Sequence, residues 1–122
     1  MMAFLKKVLL ADDNLEFCRN ISDILELKDY QVVTAHDGHE ALELAKNERF
    51  DLALMDVRMP VMDGLEAFDR MQSALVQVPV IMMSAFAVEE NLQQKPIYAY
   101  LKKPIDFDRL MALLDNLEQQ RA

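Results

Sequence analysis

An α/β domain built on an open, doubly wound parallel sheet is the fold class that this sequence predicts. Two observations carry that expectation. Short apolar runs alternate strictly with stretches of helical periodicity along the whole chain, the pattern of repeated βα units. Three of those runs lead directly, or after one residue, to acids or a lysine: Asp12-Asp13 after Val8–Ala11, Asp56 after Leu52–Met55, and Lys103-Pro104 after Tyr98–Leu101. Each polar group then stands at the carboxyl end of a strand, where open parallel sheets bind ligands.

Val8–Ala11 reads as a fully buried first strand, being apolar throughout. Phe17, Ile21, Ile24 and Lys28 mark the first helix, with Ile21, Ile24 and Leu25 on its inner face. Gln31–Ala35, β-branched and flanked by turn residues, is the second strand. Asp37-Gly38 turns the chain, and Ala41, Leu42 and Ala45 stripe the second helix. Leu52–Met55 is the third strand. The loop Asp56–Gly64, holding Pro60, Asp63 and Gly64, leads to a third stripe of Leu65, Phe68 and Met71. Val78–Met83 is the fourth strand, with Pro79 tolerated at its start. Only Ala87–Gln94 is available for a fourth helix before Lys95-Pro96 stops it, so that helix is expected to be short, mobile or both. Tyr98–Leu101 is the fifth strand, and Phe107, Leu110, Leu114 and Leu117 form the cleanest helical face. Right-handed crossovers between such strands place helices on both faces of the sheet.

Residues 1–122 read as one domain, long enough for a genuine core and without linker, repeat or low-complexity tract. An apolar fraction of 52% with 28% charged residues indicates a soluble, globular chain and excludes a disordered one. The formal charge of -8 argues against direct nucleic-acid or anionic-membrane binding, since both need a basic surface. Cys18 stands alone and cannot form an internal disulfide, which suits a reducing compartment. No apolar run approaches a membrane span, and the N-terminal lysines follow the apolar residues, the reverse of a signal peptide. A cytoplasmic location is expected. The methionines, among them Met71, Met82, Met83 and Met111, sit mostly at core-like positions and read as flexible packing.

Gathered within a few ångströms, Asp12, Asp13 and Asp56 would raise one another's pKa or recruit a cation. Mg2+ suits such a cluster, because a hard ion takes carboxylate oxygens and keeps waters for a phosphate. Asp56 can then attack phosphorus as a carboxylate nucleophile, with Lys103 as a compact neutralising charge and Ser84 as a hydroxyl donor. In-line phosphoryl transfer asks a protein mainly for positioning and charge neutralisation. Single pieces are ambiguous. Asp12-Asp13-Asn14 alone caps a helix as readily, Asp56 alone begins a turn, and Ser84 alone is more often a satisfied strand-end hydroxyl. Tyr100 alone also reads as a strand tyrosine with an exposed hydroxyl, and His36 with His39 fits solvated turn positions better than a metal pair. Their joint placement is what points to a site.

Four stretches are in register with one family: Leu10-Ala11-Asp12-Asp13-Asn14, Met55-Asp56-Val57-Arg58-Met59-Pro60-Val61-Met62-Asp63-Gly64, Met82-Met83-Ser84-Ala85 and Tyr100-Leu101-Lys102-Lys103-Pro104. On these the chain resembles, over nearly its whole length, the receiver domain of two-component response regulators. The resemblance implies a flavodoxin-like, CheY-like (βα)5 fold with a five-stranded parallel sheet in the order 2-1-3-4-5. It implies Asp56 as phosphoacceptor, assisted by Lys103 and Ser84, and a metal held by Asp12, Asp13, Asp56 and the backbone carbonyl of Arg58. It further implies Mg2+ as the cofactor, with Mn2+ or Ca2+ as substitutes, Ser84 and Tyr100 as switch residues, and a cis peptide at Lys103-Pro104.

The implied partners are a sensor histidine kinase or phosphotransfer protein upstream, and a downstream protein or a missing output domain. A phosphorylation-linked dimer belongs to the same expectation. Such a module catalyses its own modification and turns over no metabolite. Two alternatives stay open: a degenerate receiver that binds partners without phosphorylation, and a Mg2+-dependent phosphatase, for which Arg58 stands where a leaving-group acid is needed. The chain departs from the family in the 19 positions (103 - 84) from Ser84 to Lys103, about one helical turn short. Arg58 and Phe86, each two positions beyond a key residue, are expected to shield the acyl phosphate from water.

Overall fold

The computed structural model describes residues 7–85 and 94–121. Five parallel strands, β1 (Lys7–Ala11), β2 (Gln31–Ala35), β3 (Leu52–Asp56), β4 (Val80–Ser84) and β5 (Ala99–Lys102), form one sheet in the order β2-β1-β3-β4-β5. Helices α1 (Leu15–Leu27), α2 (Gly38–Asn47), α3 (Gly64–Ser73) and α4 (Phe107–Arg121) pack against it. Phe86 and residues 87–93, where the sequence reading put the short fourth helix, lie outside the described residues.

The central strands are apolar on both sides because both sides are covered. Leu9, Ala53, Met55 and Met82 meet Ala41, Phe68 and Met71 on the α2 and α3 face. Leu10, Leu54, Ile81 and Met83 meet Ile21, Leu25, Leu110 and Leu114 on the α1 and α4 face. Burying a side chain of this size contributes about 1.5–3 kcal/mol, so these two layers dominate stability. Helix starts are set by side-chain caps: Asn14 accepts from the Phe17 amide at 3.0 Å, Asp37 from Glu40 at 2.7 Å and Asp63 from Glu66 at 2.8 Å.

Several boundaries and faces differ from the sequence reading. The inner stripe of α1 is Cys18, Ile21 and Leu25, with Ile24 only half-buried, because the small thiol occupies the 18-21-25 phase. Ala67 joins Phe68 and Met71 inside α3, while Leu65 is half-buried. Phe107 opens α4 before its first turn reaches the core and is 41% exposed. β4 begins at Val80 and not Val78: Pro79 has no amide to donate, though its carbonyl accepts from Ala53 at 3.0 Å. β5 is shifted one residue, to Ala99–Lys102.

Backbone strain falls on residues other than glycine. Asp29 (φ 70°) and Leu75 (φ 59°) end α1 and α3 in the left-handed conformation, closed by Tyr30 to Leu25 and Val76 to Met71 hydrogen bonds. Val61 (φ 70°) is the centre of a tight turn in which the Met62 amide reaches the Pro60 carbonyl at 2.7 Å. Among the described residues no helix is long and apolar enough to cross a membrane.

Candidate functional site

The chain order reverses across the β1/β3 seam, and the crevice at the carboxyl end of such a seam is where doubly wound sheets bind ligands. Ala11 pairs with Met55, so Asp12 and Asp56 emerge side by side on neighbouring strands. The backbone ladder runs one residue further at the edges: Asp12 donates to Ala35 at 3.0 Å and Lys103 to Ser84 at 2.8 Å. Strand alternation therefore persists through the site. Asp12, Asp56 and Lys103 fall in phase with Leu10, Leu54 and Leu101, whose side chains pack on the α1 and α4 face. Equal phase is what makes them converge.

Lys103 Nζ donates to Asp12 Oδ2 and, at 3.2 Å, to Asp56 Oδ2. The other oxygens are also engaged: Asp12 Oδ1 accepts from the Asn14 amide at 2.9 Å and Asp56 Oδ1 from the Arg58 amide at 3.3 Å. Asp12 is fully buried, Asp56 nearly so, and Asp13 is exposed. One carboxylate oxygen from each of the three lies within 4.8 Å of the others. Three hard oxygen donors, one facing water, fit a small divalent cation that retains part of its hydration shell.

Burial, and then the charge of Asp12, raise the Asp56 carboxyl above the usual carboxylate range; Lys103 and the Arg58 amide oppose this only in part. Burial would lower the Lys103 ammonium, but its hydrogen bond and charge contact with Asp12, aided by Asp56, win and raise it. Lys103 therefore stays charged at neutral pH.

Ser84 is buried at the end of β4 and its carbonyl receives the Lys103 amide. Its phase is that of Met82, on the α2 and α3 face. Tyr100, paired with Met82, packs half-buried against the same core, and its carbonyl accepts from Arg109 Nη2 at 3.4 Å. Tyr100 thus lies two residues down the strand from the rung that pairs Lys102 with Ser84, away from the acids. The Lys103-Pro104 peptide is cis.

Several residues make contacts at the site beyond the roles the sequence suggests for them, such as the helix cap at Asn14. Asn14 ties the first turn of α1 to Asp12. The Cys18 thiol donates to the Asp12 carbonyl at 3.3 Å; burial and then Asp12 push it up to about 11, so it remains a protonated donor. Both glycines of the chain allow close approach. A Cβ on Gly64 would stand 2.1 Å from the Asp56 carbonyl oxygen, and one on Gly38 would stand 1.9 Å from that of Met62. Their signal in the sequence was position alone, each directly after a capping aspartate.

The profile of the response regulator receiver domain family matches residues 8–115. The chain belongs to that family. As a receiver domain it has full-length and modular relatives. The polar-differentiation response regulator DivK of Brucella anthropi is 35% identical over 116 residues, covering 91% of this chain and 94% of that protein. The transcriptional regulatory protein ZraR of Salmonella typhimurium is 36% identical over 112 residues, covering 89% of this chain and 25% of its own length. The receiver thus spans about a quarter of the ZraR relatives, which contain much more than this domain. Among solved structures, the receiver domain of sensor histidine kinase PA1611 from Pseudomonas aeruginosa is 30% identical with a TM-score of 0.85, covering 96% of this chain and 99% of that one. That structure has a magnesium ion coordinated in its active-site cleft. Chemotaxis response regulator CheY4 of Vibrio cholerae is 35% identical with a TM-score of 0.80, covering 93% and 98%.

Proposed function

We propose that this receiver domain, residues 1–122 acting as one unit, accepts a phosphoryl group on Asp56 from a phosphohistidine. The donor would be a sensor histidine kinase or a phosphotransfer protein. The observation that carries this reading is a buried carboxylate gripped by a lysine and an amide, with two further carboxylates beside it. In the transfer, an Asp56 oxygen forms the new P–O bond as the P–N bond of the phosphohistidine breaks, and the departing imidazole is left to take up a proton. Asp12, Asp13, Asp56 and the backbone carbonyl of Arg58 would hold Mg2+, with Mn2+ or Ca2+ as substitutes. The bound ion supplies charge neutralisation to the transferring group.

Lys103 then passes its hydrogen bond from Asp56 to a phosphoryl oxygen. Ser84 moves toward the new anion and Tyr100 turns into the space vacated, shifting the population between two states of the surface around β4 and β5. A downstream protein, or an output domain in a longer chain, reads that surface, and a phosphorylation-linked dimer is one form of readout. The domain modifies itself and turns over no metabolite. With a formal charge of -8 it has no electrostatic drive toward nucleic acid or an anionic membrane, and a cytoplasmic site of action belongs to the same proposal.

Intact-mass spectrometry after incubation with acetyl phosphate and Mg2+ tests this. One phosphoryl adduct is expected on the wild type and none on Asp56→Asn. No adduct on either, or an equal adduct on both, overturns it.

A further inference from the structure

The carboxylates grip Lys103 from one side. On another flank its ammonium nitrogen lies 4.3 Å from the centroid of the Phe17 ring, within the range where a cation is attracted to an aromatic face. Phe17 is the third residue of α1 and packs half-buried against the core on that face of the sheet.

Its placement is set by the site itself. Asp12 Oδ1 accepts from the Asn14 amide, and Asn14 Oδ1 accepts from the Phe17 amide. The Phe17 ring meets Lys103 Nζ, which donates back to Asp12 Oδ2. The circuit closes: the acid that pairs with the lysine also anchors the turn that carries the ring.

An ammonium on a four-carbon stem is mobile and strongly hydrated. An aromatic face displaces water from one flank and attracts the charge, yet offers no oxygen that would compete for its N–H donors. The two hydrogen bonds to Asp12 and Asp56 are left uncontested, so the one to Asp56 can pass to a phosphoryl oxygen. A carboxylate in the same place would instead hold the lysine back.

We infer that Phe17 is a positioning residue for phosphoryl transfer, keeping the Lys103 ammonium at the site while its hydrogen bond passes from Asp56 to the phosphoryl group. The inference rests on Asp56 being the phosphoacceptor.

Phe17→Leu removes the aromatic face and keeps apolar bulk; Phe17→Tyr keeps the face. With acetyl phosphate and saturating Mg2+, the leucine variant is expected to form the adduct roughly threefold to tenfold more slowly, and the tyrosine variant to stay within about twofold of wild type. NMR supplies a readout independent of phosphorylation. The Lys103 methylene protons next to Nζ should carry an upfield ring-current shift in wild type and Phe17→Tyr that is lost in Phe17→Leu. Thermal melts check folding, and Phe17→Met replaces the leucine variant if that one is unfolded at the assay temperature. Equal rates in wild type and Phe17→Leu, equal slowing in Phe17→Leu and Phe17→Tyr, or an unchanged methylene shift overturns the inference. Absence of an adduct on the wild type would instead bring down the phosphoacceptor reading, and the NMR comparison would still decide the contact.

Discussion

Replacing Asp56 by asparagine keeps the side chain's shape while removing one of three clustered negative charges. The carboxylate oxygens of Asp12, Asp13 and Asp56 lie within 4.8 Å of one another. Each pairwise repulsion is then at least about 3 kcal/mol at an effective dielectric near 20. The variant ends two such repulsions and loses one attraction, Lys103 Nζ to Asp56 Oδ2 at 3.2 Å, of about 5 kcal/mol on the same scale. Asp13 is exposed, so its share is screened further. These charges nearly cancel, which leaves the desolvation of Asp56, the leading cause of its raised pKa, to decide the sign. The metal-free variant should therefore be more stable by about 1–3 kcal/mol, roughly 3–10 °C in Tm. Urea unfolding in EDTA measures the gain, and the same titration in saturating Mg2+ should narrow or reverse it, because the ion stabilises the wild type by mass action. The pH dependence has a definite sign. With its folded pKa raised, native Asp56 takes up a proton before the unfolded chain does. Wild-type destabilisation is therefore full at neutral pH and is relieved as pH falls through the folded pKa, so the two proteins converge toward acid. An asparagine variant no more stable than wild type in EDTA would refute this electrostatic reasoning.

Other perturbations have equally definite outcomes. Lys103→Met leaves the fully buried Asp12 without its cation, and should cost about 3 kcal/mol in EDTA while tightening Mg2+ binding by calorimetry, since the ammonium competes for the same carboxylates. Gly64→Ala places a methyl 2.1 Å from the Asp56 carbonyl oxygen, so α3 or the end of β3 must shift; a loss of at least about 2 kcal/mol in urea and slower adduct formation are expected. Leu75→Gly should raise the urea midpoint at unchanged slope, by up to about 1 kcal/mol, because an 84% exposed leucine at φ 59° gains little from its side chain and bears left-handed strain.

Strands such as Leu52–Asp56 and Val80–Ser84 were legible because burial on both sides demands an unbroken apolar run, and the run ends where the chain meets water or a site. A carboxylate is costly inside such a run, so Asp56 terminates its strand, and its placement alongside the other strand-end acids and Lys103 is what marked it as a site residue. Helical phase was less certain where residues are small or ambivalent. Cys18 took the inner position assigned to Ile24, and Phe107 stayed outside, because period fixes spacing better than it fixes which side of a helix faces in.

Local sequence therefore determined the periods, the caps and the chemical character of each strand end. Tertiary structure alone decided that Asp12, Asp56 and Lys103 meet, since that depends on strand order, the Ala11 to Met55 register and a shared alternation phase. It also decided that Phe17 faces a lysine 86 positions away (103 - 17), and that Gly64 presses on the Asp56 backbone. The physical reason is that periodicity and capping act over a few residues, whereas contacts between strand ends are set by non-local pairing that leaves no mark on either segment alone.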